Sequence, residues 1–165
     1  GRQWFSFAND SYAAINQQVN ETYGAVDRQI DREMQNLGLP ASRVALVGFS
    51  QGGIMALQTG LRRPEPLACV IGLSTILANA ETLDQEMRSR PPVLLLHGDM
   101  DNVLPVQYLS MSEQALRASE VPVTAKVMQG LRKRNKLWLW PMSGVKQMNL
   151  SKRPASYLLG KHPFE

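Results

Sequence analysis

The chain has 165 residues, 44% hydrophobic and 19% charged, one cysteine and a formal net charge of +4. That length buries one core without disulfide or metal staples, and no apolar run approaches the roughly 20 residues that cross a bilayer, so stable membrane insertion and an internal disulfide are excluded. Residues 1–130 carry 10 Lys/Arg against 13 Asp/Glu, whereas residues 131–165 carry 8 against 1, so the basicity belongs to the tail and not to the body.

Residues 11–37 set Ile15, Val19, Tyr23, Val26, Ile30, Met34 and Leu37 on one face at helical spacing, with Gly38 and Pro40 as stop signals. RVALVGF, residues 43–49, follows as an apolar, β-branched run without polar alternation, the pattern of a strand covered on both faces. A helix is expected over 51–62, strands over 67–73 and 92–97, a helix over 106–118 and a strand over 122–128. Such alternation predicts an open, mainly parallel α/β sheet with right-handed crossovers. Cys69, within LACVIGL, suits a buried thiol in a reducing compartment, and no basic-then-apolar leader opens the sequence, so a cytoplasmic location is expected.

After Gly130 both periodicities fail, and basic residues, prolines and two of the three tryptophans crowd together. A shifted reading frame or a chimeric gene end produces this combination. Residues 132–165 are accordingly expected to be a basic tail of irregular or unrelated sequence.

Gly48-Phe49-Ser50-Gln51-Gly52 matches G-x-S-x-G, with a predicted strand before it and an amphipathic helix after it. A strand that turns sharply into a helix strains the serine backbone, and glycines two residues either side are expected to relieve the crowding. Ser50 then stands at the positive end of the helix, where developing negative charge is favoured, and the Gln51 N–H is a candidate oxyanion donor.

In LLLHGDMDNVLP, residues 94–105, acidic side chains follow a buried strand at the same sheet edge. Asp99, in the turn after Gly98, reads as a carboxylate capping backbone N–H groups. Asp101, further into the loop, is the candidate catalytic acid, with the same backbone-capping role as its alternative. His97, closing the strand, reads as a packed structural histidine, and His162 lies in the irregular tail.

These stretches resemble the phospholipase/carboxylesterase family of α/β-hydrolases, which includes the acyl-protein thioesterases. The resemblance runs through GRQWFS, LGLPASRVALVGFSQGG, LRRPEPLACVIGLS, PPVLLLHGDMDNVLP and VPVTAKVMQGL, from Gly1 to Leu131. It implies a partial α/β-hydrolase fold over residues 1–131 and hydrolysis of carboxylic esters or acyl thioesters without a cofactor. Ser50 matches the family nucleophile, Asp101 the triad acid and Gln51 the residue whose N–H binds the oxyanion, while Trp4 and Phe5 match a segment that lines the acyl groove, with burial against the helix of residues 11–37 as the equal alternative for those two. Serine, then acid, then histidine is the α/β-hydrolase order.

Two features depart from the family pattern. The strands and glycine-rich loop that supply a second oxyanion donor have no counterpart before Gly1, and Gly130-Leu131-Arg132-Lys133 stands where the family has Gly-His. Lys133 thus occupies the place of the base, and a lysine held protonated beside Asp101 could not take a proton from Ser50. The alternative expectation is a non-catalytic remnant, or a ligand-binding pseudoenzyme of the same fold.

RKRNK at 132–136, beside Trp138 and Trp140, follows no helix face or strand alternation, so no nucleic-acid partner is expected. No metal is expected either, because no His/Cys/Asp cluster has ligand spacing. Met87, Met100, Met111 and Met128 are expected to fill core gaps.

Overall fold

The apolar stripe of residues 11–37 becomes α1, Tyr12–Leu37, with Ile15, Val19 and Ile30 buried. Its end is a two-bond glycine cap: at Gly38 the backbone turns to φ 62°, the Gly38 N–H donates to Gln35 O at 3.2 Å and the Leu39 N–H to Met34 O at 3.0 Å. The structure, a computed structural model, describes residues 12–132 and the backbone of 157–159.

Four strands and three helices follow: β1 (Ala45–Phe49), α2 (Gln51–Arg62), β2 (Cys69–Leu73), α3 (Leu83–Glu86), β3 (Val93–Gly98), α4 (Gln107–Ala118) and β4 (Val123–Met128). A further strand, β5 (Tyr157–Leu159), gives the sheet order β4-β3-β2-β1-β5, with every pair parallel. The architecture is the α/β fold expected, a parallel sheet flanked by helices.

β5 is a strand that the sequence analysis does not anticipate. It pairs Tyr157 with Ala45 and Leu159 with Val47, so β1 has neighbours on both sides. Three residues are too few for an alternation to be read.

The expectation that β1 is covered on both faces needs correction. Leu46 and Gly48 are buried, whereas Ala45, Val47 and Phe49 are half-buried, and from Val70 to Leu73 in β2 and Val93 to Leu96 in β3 the same difference recurs in register, with Cys69 buried at the start of β2. Leu46, Val70, Val93 and Leu95 share one core cluster with Leu57 and Leu61 of α2 and Leu109 and Leu116 of α4. Both helices therefore cover the same face. An unbroken apolar run cannot distinguish one fully covered face from two, because both faces carry apolar residues either way.

Two of the four methionines also differ from expectation. Met111 is 61% exposed, since α4 turns Leu109, Ser112 and Leu116 inward and position 111 lies about 200° around the helix from Leu109. Met100 is 44% exposed because Asp101 takes the inward position of its loop.

Polar side chains join α1 to the rest. The buried Gln58 of α2 donates to Asn20 Oδ1 at 2.9 Å, and Asn79, in the left-handed region at φ 52°, donates to the same oxygen at 3.0 Å and to Gln58 Oε1 at 3.2 Å. Arg63, also buried, donates to Asp27 and, at 2.6 Å, to Asp31. Burial opposes the guanidinium charge, but the hydrogen bonds and charges of Asp31 and Asp27 outweigh it and raise the Arg63 pKa.

The Tyr12 hydroxyl donates to Leu77 O at 2.6 Å. Burial, and then the charges of Glu81 and Tyr108, push its pKa up to about 12. A phenol with a raised folded pKa loses stabilisation as pH climbs from its unfolded value near 10 through its folded one, because the unfolded chain ionises first. Base-induced unfolding followed by circular dichroism between pH 9 and 12 should therefore show a smaller fall in stability for Tyr12→Phe than for the parent.

Candidate active site

Because all the strands are parallel, the loops leaving their C-terminal ends meet at one edge of the sheet. Ser50 leaves β1, Ser74 leaves β2, Asp99 and Asp101 leave β3, and Gly130 leaves β4. This is the edge at which open α/β sheets bind ligands.

Ser50 forms the turn itself, with φ 54° and ψ −117°, a conformation that costs a non-glycine residue roughly 1–3 kcal/mol. Its backbone is tied on both sides. The Ser50 N–H donates to Leu73 O at 2.8 Å, while its carbonyl accepts from the N–H groups of Gly53 at 3.0 Å and Ile54 at 3.1 Å and from the Thr75 hydroxyl at 2.9 Å. Gln51 is the first residue of α2, among the amides at the positive end of that helix.

Glycine is required at one flank as expected, and at the other the crowded position lies one residue further on. A Cβ on Gly48 would lie 2.1 Å from Gly52 O, so the strand can run that close to the helix only with glycine there. A Cβ on Gly52 would meet nothing within 4 Å; the second crowded position is Gly53, where it would come within 2.7 Å of the Thr75 side chain. Thr75 reaches across to hold the Ser50 carbonyl, and Gly53 makes room for it. No sequence signal marked Thr75, because the contact joins two loops 25 residues apart.

Asp101 is buried, and its Oδ1 accepts from the Val103 and Leu104 N–H groups, both at 2.9 Å. Oδ2 has no hydrogen-bond partner among the described residues. Asp99 proves to be a backbone-capping carboxylate, as expected, but a long-range one: it accepts the Gly130 N–H at 2.7 Å. The Asp99 N–H donates to Met128 O at 3.2 Å and the Met100 N–H to Leu131 O at 3.1 Å, so the acid loop is stitched to the loop that leaves β4. His97 is fully buried, with Nε2 2.8 Å from Leu104 O.

Ser50 and Asp101 thus leave strands separated by one neighbour, at the same edge. Trp4, Phe5, Lys133, Trp138, Trp140 and His162 lie outside the described residues. Among the described residues no group of three or more His, Cys, Asp and Glu side chains could hold a metal ion, and no helix is long and apolar enough to cross a membrane. A cleft of about 360 Å³ lined by Asp31, Met34, Gln35, Gly38 and Leu39 lies at the C-terminal end of α1 and contains none of the site residues.

A parallel sheet in which one strand turns at a strained serine into a helix, with a buried aspartate beyond a later strand at the same edge, defines an α/β-hydrolase fold. The chain belongs to the phospholipase/carboxylesterase family, whose model matches residues 1–137. It is 30% identical over 116 residues to acyl-protein thioesterase 1 homolog 1 of Dictyostelium discoideum, an alignment covering 69% of this chain and 51% of that protein. It thus spans about half the length of this relative. Among solved structures, esterase PE8 is 34% identical with a TM-score of 0.77, over 81% of this chain and 63% of that one. Acyl-protein thioesterase 2 of Zea mays, 22% identical with a TM-score of 0.57 over 86% of this chain and 66% of that one, shares the fold.

Three variants test this geometry. Gly48→Ala should cost about 3 kcal/mol or more in urea unfolding, since the Cβ would collide with backbone that cannot yield. Asp101→Asn keeps an acceptor for Val103 and Leu104 and should unfold near the parent, whereas Asp101→Ala leaves both N–H groups without that acceptor and should cost about 1–3 kcal/mol.

Proposed function

We propose that the chain carries the nucleophile and acid of a serine hydrolase acting on carboxylic esters or acyl thioesters, with a small acyl substrate and no cofactor. Ser50 Oγ attacks the acyl carbonyl, the Gln51 N–H stabilises the oxyanion, and Asp101 orients the base that takes the Ser50 proton. The observation that carries this reading is the backbone of Ser50, a strained non-glycine turn held by hydrogen bonds from three directions. Strain of that kind persists where the surrounding structure enforces it, and it marks functional turns. The half-length match to the thioesterase relative supports the substrate class. A buried free thiol at Cys69, its pKa raised by desolvation, supports a reducing compartment such as the cytoplasm.

One observation favours a second reading, a non-catalytic or ligand-binding member of the fold. The hydrogen bonds from Gly130 and to Leu131 hold the loop after β4 against the acid loop, and the next residue in the chain is Arg132, not a histidine. In a serine protease, losing the triad histidine lowers kcat by about 10⁶. On that ground the chain should turn over p-nitrophenyl butyrate barely faster than its Ser50→Ala variant. A fluorophosphonate probe separates the two readings: labelling that is lost in Ser50→Ala establishes an activated serine, and the absence of labelling leaves the binding reading.

A further inference from the structure

His97 closes β3 with its side chain wholly buried, and the chemistry proposed above gives it no part. Its one hydrogen bond among the described residues runs from Nε2 to Leu104 O at 2.8 Å. A carbonyl oxygen only accepts, so Nε2 carries the proton.

Leu104 is also one of the two residues that grip the acid. Its N–H donates to Asp101 Oδ1 at 2.9 Å, as does that of Val103. The N–H and C=O of this single residue therefore tie Asp101 and His97 into one closed loop. Asp101 Oδ1 is fully engaged, whereas Oδ2 lies 3.6 Å from His97 Nε2, beyond hydrogen-bond distance. Burying a carboxylate oxygen without a partner is costly, and it persists only where the chain is held from other directions. On the inner side of this loop the imidazole supplies such a hold through Leu104 O, while Asp99 and Met100 hold it on the outer side.

We propose that His97 is a positioning residue: by holding the Leu104 carbonyl it fixes the amides that bind Asp101 Oδ1, and so reserves Oδ2 for the donor that the acid must orient. This rests on Asp101 being the acid of the site. Glutamine is the informative substitute, because its Nε2 is as many bonds from Cβ as the imidazole Nε2, whereas the asparagine nitrogen is one bond short.

The test combines nuclear magnetic resonance with serine labelling on the full chain. The ring ¹⁵N shifts of His97 should show the Nε2–H tautomer with an unprotonated Nδ1, a measurement that needs no variant. Amide exchange at Leu104 and Val103 should accelerate about tenfold in His97→Asn relative to the amides of α2, the effect of losing one ordinary hydrogen bond, and His97→Gln should restore protection. The fluorophosphonate labelling rate of Ser50 should fall and recover in parallel. A protonated Nδ1, unchanged exchange in His97→Asn, equal loss in both variants or equal acceleration throughout α2 would overturn the proposal. If the parent chain is not labelled, the hydrolase reading fails, and the tautomer and exchange measurements still decide whether His97 positions Asp101.

Discussion

Ser50 adopts a backbone conformation that nearly every other non-glycine residue avoids, and the surrounding contacts are what keep it there. A bond from its N–H to Leu73 O extends the β1–β2 ladder by one residue beyond the strands. Two amides of α2 and the Thr75 hydroxyl take its carbonyl. Each such bond contributes about 1 kcal/mol net, so the four together suffice to offset the roughly 1–3 kcal/mol of strain. The elbow therefore depends on β2 and its following loop as much as on the local G-x-S-x-G pattern.

The acid side of the site follows a different logic. Nothing there is strained in the same way; the loop after β3 is fixed by hydrogen bonds in two directions. Inward, Asp101 and His97 share Leu104. Outward, Asp99 and Met100 bind the loop after β4. A carboxylate with one oxygen saturated by backbone amides cannot rotate freely, so the direction of its other oxygen is fixed. Two acidic residues two positions apart thus do separate work, one holding the loops together and the other facing the protein interior.

The rest of the molecule supports this edge from beneath. α2 packs on Leu46 and Val70 through Leu57 and Leu61, fixing the helix whose first turn begins at Gln51. Asn20, Gln58 and Asn79 bind α1, α2 and the loop after β2 to one another. Buried amide groups of this kind demand mutual satisfaction, so they fix the relative placement of the two helices more narrowly than apolar contact alone.

Much of this was legible in the sequence. The stripe of Ile15, Val19 and Ile30, the Gly38 stop and the apolar runs of β1 to β3 report local periodicity, and periodicity depends only on which residues a helix or strand turns inward. G-x-S-x-G between strand and helix located Ser50, because the steric demand on Gly48 is met a few residues away along the chain. Tertiary structure decided the rest. Thr75 beneath Ser50 and Gly130 on Asp99 are contacts made after the chain has folded back on itself, and no spacing encodes them; His97, Asp101 and Leu104 lie within eight residues of one another, but which of their atoms meet depends on how the folded loop is held. The half-covered second face of the sheet belongs to the same class: an apolar run states that a strand can be buried, and only the packing of α2 and α4 on one side determines which half of it is.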